Sequence, residues 1–300
     1  MIKSSIKITK QSARAFAPGH ISGFFQPLYD KKNILLTGSR GAGISVTLGC
    51  HSQVIVKKDS RQHIEVFTGK QQSKSAVVHR CLKYLLKDIA LHVLVNSSCE
   101  LPIGQGFGMS AAASLAAGYA VADCLQIPLK NALVAAHRAE VELQTGLGDV
   151  IGAFAGGIEI RKHPGIALEN VIQHIPGSFD MVLCIVDNPI DTKQILNDET
   201  RIDNIAKLGK YCTDSLLKHP TIEEFFSLSL YFTKQSGLAS DVMLQAIDEA
   251  EQYGLASMCM LGNAVFAMGE TDKLISVLNK YGMVFQTSID KNGARIINEK

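Results

Sequence analysis

The sequence predicts a mixed α+β protein built in two parts, and three observations carry that prediction. Leu91, Val93 and Val95 alternate with His92 and Leu94 as in a half-buried strand. That strand runs into the glycine-rich stretch Pro102-Ile-Gly104-Gln-Gly106-Phe-Gly108-Met-Ser110, and then into an alanine-rich run of high helix propensity, Ala111 to Ala117. Around Pro176-Gly177-Ser178 the texture changes: helical patterns dominate as far as Tyr253, and strand-like and helical runs alternate after it. The expected boundary therefore separates residues 1–177 from residues 178–300.

Composition narrows the class. A chain of 300 residues, 46% apolar and 19% charged, has ample material for a core and an ordinary soluble composition. The net charge is only +2, no Lys/Arg block stands out and Trp is absent, so neither nucleic acid nor a membrane surface is an expected partner. Seven cysteines without a C-x-x-C pair predict reduced thiols in a cytoplasmic protein. Met1 to Lys7 lacks the apolar core of a secretory signal. The longest mostly apolar stretch, Ala111 to Leu125, contains Asp123 and is too short to span a bilayer.

Taken in order, Ala15 to Phe25 reads as two extended segments with a turn at Pro18-Gly19-His20. Strand-like runs at Asn33 to Thr37 and Ile44 to Leu48 flank Gly38 to Gly43, which reads as a hairpin or crossing loop with Arg40 at its tip. Val54 to Phe67 adds strands, and Lys70 to Leu86 reads as a helix. Pro128 suits the first turn of the helix that runs on to Glu142. A turn at Thr145-Gly146-Leu147-Gly148-Asp149 and a strand from Gly156 to Arg161 follow. The second part is expected to hold a buried strand at Phe179 to Asp187 and helices at Thr192 to Leu196, Arg201 to Leu217, Thr221 to Ser236 and Ala239 to Tyr253. Alternation over Met258 to Ala267, a helix over Thr271 to Tyr281 and a strand over Val284 to Ile289 close it.

Strand, glycine loop and helix N-terminus form an anion-binding arrangement, because unpaired N–H groups and the helix dipole point the same way. No lysine lies between Glu100 and Leu129, so this is not a Walker A loop, and Met109 stands where a dinucleotide fingerprint needs glycine. Arg40 and Arg161 suit a carboxylate or phosphate as well as a surface ion pair. Glu140 and Glu142 suit a metal as well as a solvated helix face.

The stretch Pro102 to Ala111 resembles the central motif of the GHMP kinases, Pro-x-x-x-Gly-Leu-Gly-Ser-Ser-Ala, with Met109 for the first serine and Ser110 for the second. Ala17-Pro18-Gly19-His20 is similar to their Ala-Pro-Gly-Lys opening, with His20 at the lysine and Phe24-Phe25 where Gly-Glu-His is common. The third element, Glu140 to Asp149 followed by Gly156-Gly157, departs by Thr145 for a serine and an extra residue before the aspartate. Pro18-Gly19-His20, the Arg40 stretch, the Arg161 stretch and the short Gly262-Asn263 resemble the archaeal pantoate-kinase branch.

The resemblance implies the GHMP kinase fold, with an N-terminal half like ribosomal protein S5 domain 2 and a ferredoxin-like C-terminal half. It implies phosphoryl transfer from ATP, with Mg²⁺, to pantoate as a step toward coenzyme A. Another small hydroxylated acceptor (homoserine, shikimate, a mevalonate derivative) and a non-catalytic ligand sensor are the alternatives. It further implies ATP binding by Pro102, Gly104, Gly106, Phe107, Gly108, Met109, Ser110 and Ala111, and Mg²⁺ on Ser110 and Glu140 with Glu142 as rival. Asp149 takes the catalytic aspartate's place, assisted by His20, and His20, Ser22, Arg40 and Arg161 are expected to hold the substrate. Replacing lysine by His20 is expected to remove a fixed cation beside Asp149, with His20 hydrogen-bonding Asp149 or the substrate instead. A small molecule is the expected partner; a homodimer is left open.

Overall fold

Residues 7–68, 71–72, 75–166, 172–188 and 198–298 are described by a computed structural model of the chain. In chain order the elements up to residue 175 are β1 (Ser12–Leu28), β2 (Gly38–Lys58), β3 (His63–Thr68), β4 (Gln71–Gln72), α1 (Ala76–Leu86), β5 (Leu91–Cys99), α2 (Met109–Leu125), α3 (Leu129–Leu143), α4 (Asp149–Ala155), β6 (Ile158–Arg161) and β7 (Ile172–Ile175). From residue 180 on follow β8 (Asp180–Ile185), α5 (Glu199–Leu216), α6 (Ile222–Ser236), α7 (Asp241–Ala250), β9 (Gly254–Met258), β10 (Ala264–Gly269), α8 (Thr271–Leu278), β11 (Met283–Ser288) and β12 (Arg295–Ile297). The expected helix at Thr192 to Leu196 lies outside the described residues.

Two long strands frame the first sheet, and they correct two sequence expectations. β1 and β2 pair antiparallel from end to end, so Pro18-Gly19 is no turn and Gly38 to Gly43 is no loop. Register shifts between Pro18 and Gly19 and between Ser22 and Phe24 absorb the irregular residues while the ladder continues. Asn33 to Thr37 is not a strand either: Ile34–Leu36 is a 3-10 turn whose leading Asn33 side chain accepts the Leu35 N–H. The glycines of β2 answer to close neighbours rather than to a turn, since a Cβ on Gly43 would overlap the His20 ring. Beyond the β1 pairing, β2 takes β6 along Gly41 to Ile44 and β5 along Cys50 to Lys58, and β3 joins β5 in parallel.

Helix α2 is buried everywhere except at Ser110 and Asp123. Small side chains make that possible: a Cβ on Gly118 would stand 3.3 Å from both the Ala132 Cβ and the Cys81 Sγ, where α1, α2 and α3 meet. The expected helix at Lys70 begins later, at Ala76, where Ser75 caps the Val78 N–H. Pro128 sits one position before α3 rather than inside its first turn.

The second sheet runs in the order β11-β8-β10-β9, wholly antiparallel. An aromatic seam joins the sheets. Phe24 and Phe25 of β1 meet Phe225 and Phe232 on α6 in tilted ring pairs with centroids 6.1 and 6.0 Å apart, and Phe225 and Phe226 reach Phe266 on β10. The chain end then returns to the first sheet, where Ile289 bridges Val46 and β12 pairs with β1. All seven cysteines are free thiols, and among the described residues no helix is long and apolar enough to cross a membrane.

Helix α5 lies on β1 at Gly209, where a Cβ would overlap the Phe25 carbonyl oxygen. Gly209→Ala is therefore expected to cost about 1–3 kcal/mol, as overpacking does, and to lower the thermal unfolding midpoint. An unchanged midpoint would show that α5 and β1 can separate without loss.

Candidate active site

The pocket at the seam is lined by the glycine loop, the first turn of α2, Glu140, residues 145 and 147–149, Ser22, Phe25 and Ser39, and is closed by Met260 and Leu261. Gly104, Gly106 and Gly108 all have positive φ (85°, 78° and 62°), a conformation that favours glycine. The loop is wedged as well: a Cβ on Gly106 would stand 3.0 Å from Cys259, and one on Gly108 2.9 Å from the His20 carbonyl oxygen. Phe107 is fully buried and accepts the His20 N–H through its carbonyl at 2.9 Å, pinning the loop to β1. No side chain caps α2, so its N-terminus at Met109, Ser110 and Ala111 opens on the pocket without a built-in acceptor. Such an end suits an anion. Pro102 is exposed and does not line the pocket.

Ser110 donates its hydroxyl hydrogen to Glu140 Oε1 at 2.7 Å. Burial pushes the Glu140 carboxyl up to about 7; the Ser110 hydrogen bond opposes the shift and the Asp149 charge adds to it. Glu140 Oε2 and Asp149 Oδ2 share the space over Gly146, where a Cβ would overlap the first and stand 2.9 Å from the second. One hydroxyl and buried carboxylate oxygen form a hard donor set that fits Mg²⁺. Glu142 is elsewhere, paired with Arg80 at 2.9 Å.

Asp149 opens α4, and about a quarter of its side chain faces the pocket. Its Oδ1 accepts from His20 Nδ1 at 2.8 Å, while His20 Nε2 lies 2.9 Å from Glu159 Oε1. A carboxylate at each nitrogen favours the imidazolium, in which both nitrogens donate, while Arg161 Nη1 also lies 3.3 Å from Nε2. Burial alone would lower the His20 pKa, but the Glu159 charge and the hydrogen bonds to Asp149 and Glu159 override it and raise the value to about 9. Burial would raise the Asp149 pKa, yet the His20 hydrogen bond, the His20 charge and Arg161 hold it below the usual carboxylate range. With its pKa raised to about 9, His20 is the group that would carry a cation beside Asp149 in place of the lysine.

Arg161 is buried, ion-paired with Glu159 and donating from Nη2 to Ser22 Oγ at 3.2 Å. It lies directly behind the pocket wall: a Cβ on Gly148 would be 2.8 Å from its Nε. Arg40 is not brought to the site. Its guanidinium holds Asp214 at 2.7 Å, the Lys162 carbonyl at 2.8 Å and Gln26 at 3.1 Å.

Sequence reasoning missed Glu159, Ser39, Met260 and Leu261. Glu159 alternates with Ile158 and Ile160 as a solvent-facing residue would, yet all four residues of β6 are buried. The available signal was a Glu and an Arg two positions apart in a short apolar strand.

A family profile described as the GHMP kinases N terminal domain matches residues 76–157. The chain is 34% identical to a pantoate kinase of Methanospirillum hungatei over 94% of this chain and 96% of that protein. It is 31% identical to a pantoate kinase of Methanocaldococcus jannaschii, over 88% and 95% respectively. Among solved structures, a phosphotransferase related to the CoA biosynthesis pathway superposes with a TM-score of 0.85 at 26% identity, covering 95% of this chain and 98% of that one. An L. major mevalonate kinase superposes at 0.67 with 13% identity, covering 96% and 99%, and shares the fold.

Two predictions follow from the charges. A His pKa raised in the folded state contributes stability in full below about 6.5, and that contribution is lost as pH rises through about 9. Glu159→Gln should lower the thermal midpoint at pH 7 and flatten its decline between pH 7 and 10; a decline as steep as the wild type's would detach Glu159 from His20. A carboxyl raised from 4.5 to about 7 costs the metal-free fold stability as pH rises across that window. Glu140→Gln should therefore raise the midpoint at pH 8 in EDTA, and a lowered midpoint would mean that the ionised carboxylate is already compensated.

Proposed function

The chain belongs to the pantoate kinases, a branch of the GHMP kinases, and on that premise we propose that it transfers the γ-phosphoryl group of ATP to a hydroxyl of pantoate. The products are ADP and 4-phosphopantoate. The observation that carries this reading is one pocket holding an uncapped helix N-terminus, a serine hydroxyl paired with the buried Glu140, and an aspartate beside His20, in a chain similar to pantoate kinases along nearly all its length.

Phosphoryl transfer asks a protein mainly for positioning and charge neutralisation. Backbone N–H groups of the loop and of α2 would receive the phosphates, with Gly104, Gly106 and Gly108 allowing close approach. Ser110 and Glu140 would hold Mg²⁺, which when bound supplies charge neutralisation at the phosphates. Asp149 would accept a hydrogen bond from the acceptor hydroxyl and take its proton late, because His20 keeps the carboxylate a weak base.

We assign the substrate carboxylate to the wall formed by Ser22 and Ser39, with Arg161 acting through Ser22 from behind rather than by direct contact. Arg40 takes no part. The halves 1–177 and 178–300 would close the pocket between them, the second through Met260 and Leu261. The free, mostly buried thiols suit a reducing cytoplasm.

ADP release with MgATP should be seen with pantoate and not with homoserine, shikimate or mevalonate. Asp149→Ala should lower kcat by about 10²–10⁴, the usual range for general acid–base groups. Turnover with another acceptor alone would overturn the substrate, and full activity of the variant would overturn the aspartate's role. Ser22→Ala should raise KM for pantoate, and Arg40→Ala should leave it unchanged; the reverse pattern would return Arg40 to the site.

A further inference from the structure

Away from this pocket, four side chains of metal-binding type meet on one face of the first sheet. β3 and β5 run in parallel register with His63 beside His92, and the two rings stack with centroids 4.8 Å apart. Glu65 follows His63 by two residues, hence on the same face, and its Oε1 lies 2.6 Å from His92 Nε2. Asp59 stands in the turn between β2 and β3, where its Oδ1 accepts from the Ser60 N–H at 2.6 Å. Asp59, His63 and His92 each offer one ligand atom, all within 4.8 Å of one another.

We propose that this cluster is a binding site for a borderline divalent transition-metal ion of the zinc class, with His63, His92 and Asp59 as ligands and Glu65 orienting His92. Two imidazoles and a carboxylate suit zinc, whereas Mg²⁺ and Ca²⁺ prefer all-oxygen sites. A tetrahedral ion with bonds of about 2.0–2.1 Å needs donors roughly 3.4 Å apart. The cluster must therefore contract by about 1.4 Å. Asp59 and His63 are exposed and free to do so by side-chain rotation, which also turns one ring out of the stack. Donation from the His92 Nε2 to Glu65 leaves the lone pair on Nδ1 for a metal and fixes the ring's tautomer, as carboxylate partners of ligating histidines do.

Such an ion would tie the turn at Asp59 to two adjacent strands near the edge of the sheet. His92 is the second residue of β5, and the phosphate loop follows its far end. Seven residues at about 3.3 Å each separate His92 from Cys99 by about 23 Å along the strand. The site therefore acts on stability and not on phosphoryl transfer.

The test is equilibrium dialysis and thermal unfolding of the full chain, first stripped with EDTA, using Zn²⁺ as the probe. One Zn²⁺ per chain is expected, undisturbed by millimolar-range (roughly hundredfold excess) Mg²⁺, with a raised unfolding midpoint. The double variant His63→Gln/His92→Gln should lose both effects, Glu65→Gln should weaken binding, and His174→Gln should bind as the wild type does. MgATP-dependent turnover of the double variant should equal the wild type's. No binding by the wild type, or equal uptake by the double variant, which would place zinc on other groups such as Cys50 and Cys99, would overturn the site.

Discussion

A buried chain of alternating charge, Arg161 to Glu159 to His20 to Asp149, holds the candidate site together. Taking an ion out of water costs several kcal/mol unless it is paired. Glu159 and His20 have no exposed surface and Arg161 almost none, so each needs its neighbour. Two cations against two anions balance, and removing any one would leave an uncompensated charge in the interior. The backbone makes room for the ring. Gly43 of β2 and Gly152 of α4 press on it from two elements, and a Cβ at either position would overlap it. The register shift between Pro18 and Gly19 lies immediately before His20, where a bulge can re-aim a side chain.

The two pocket carboxylates are pushed in opposite directions, Asp149 by that chain and Glu140 mainly by its burial. Asp149 is held ionised by a cation beside it, while Glu140, buried with a hydroxyl as its donor, is pushed toward its neutral form. A cation entering between them would reverse the balance for Glu140, since an opposite charge nearby favours ionisation. The metal-free fold is therefore least comfortable where a divalent ion would be most welcome.

Much of this architecture was legible in the sequence, and the exceptions have physical reasons. Helices were read well where caps and apolar faces agree, as at α6, where Thr221 accepts the Glu224 N–H. The glycine loop was legible because its alternate glycines take the positive φ that an N–H cradle needs. The turns read at Pro18-Gly19 and Gly38 to Gly43 failed because long-range pairing on both edges of β2 overrode local turn chemistry. Glu140 and Glu142, two residues apart, point to different sides of α3, so only one can face the pocket. Which one does is decided by packing that no local pattern records. Arg40 and Arg161 looked alike as sequence, but Arg40 meets Asp214 on α5 while Arg161 meets Glu159.

Arg161 reaches the pocket wall through Ser22. Its side chain cannot swing into the pocket without breaking the Glu159 pair and leaving His20 with an altered partner, so its charge must act at a distance. On that side the pocket is lined by Ser22 and Ser39. Ser22 is held from both ends, by Arg161 at Oγ and by the Met260 N–H at its carbonyl, 3.0 Å away. A neutral hydroxyl backed by a buried cation favours one small anion and offers a second anionic group no partner of its own. The same two contacts link the wall to β6 on one side and to the β9–β10 turn on the other. The position of that turn and of the pocket wall are thus tied through a single residue's hydrogen bonds.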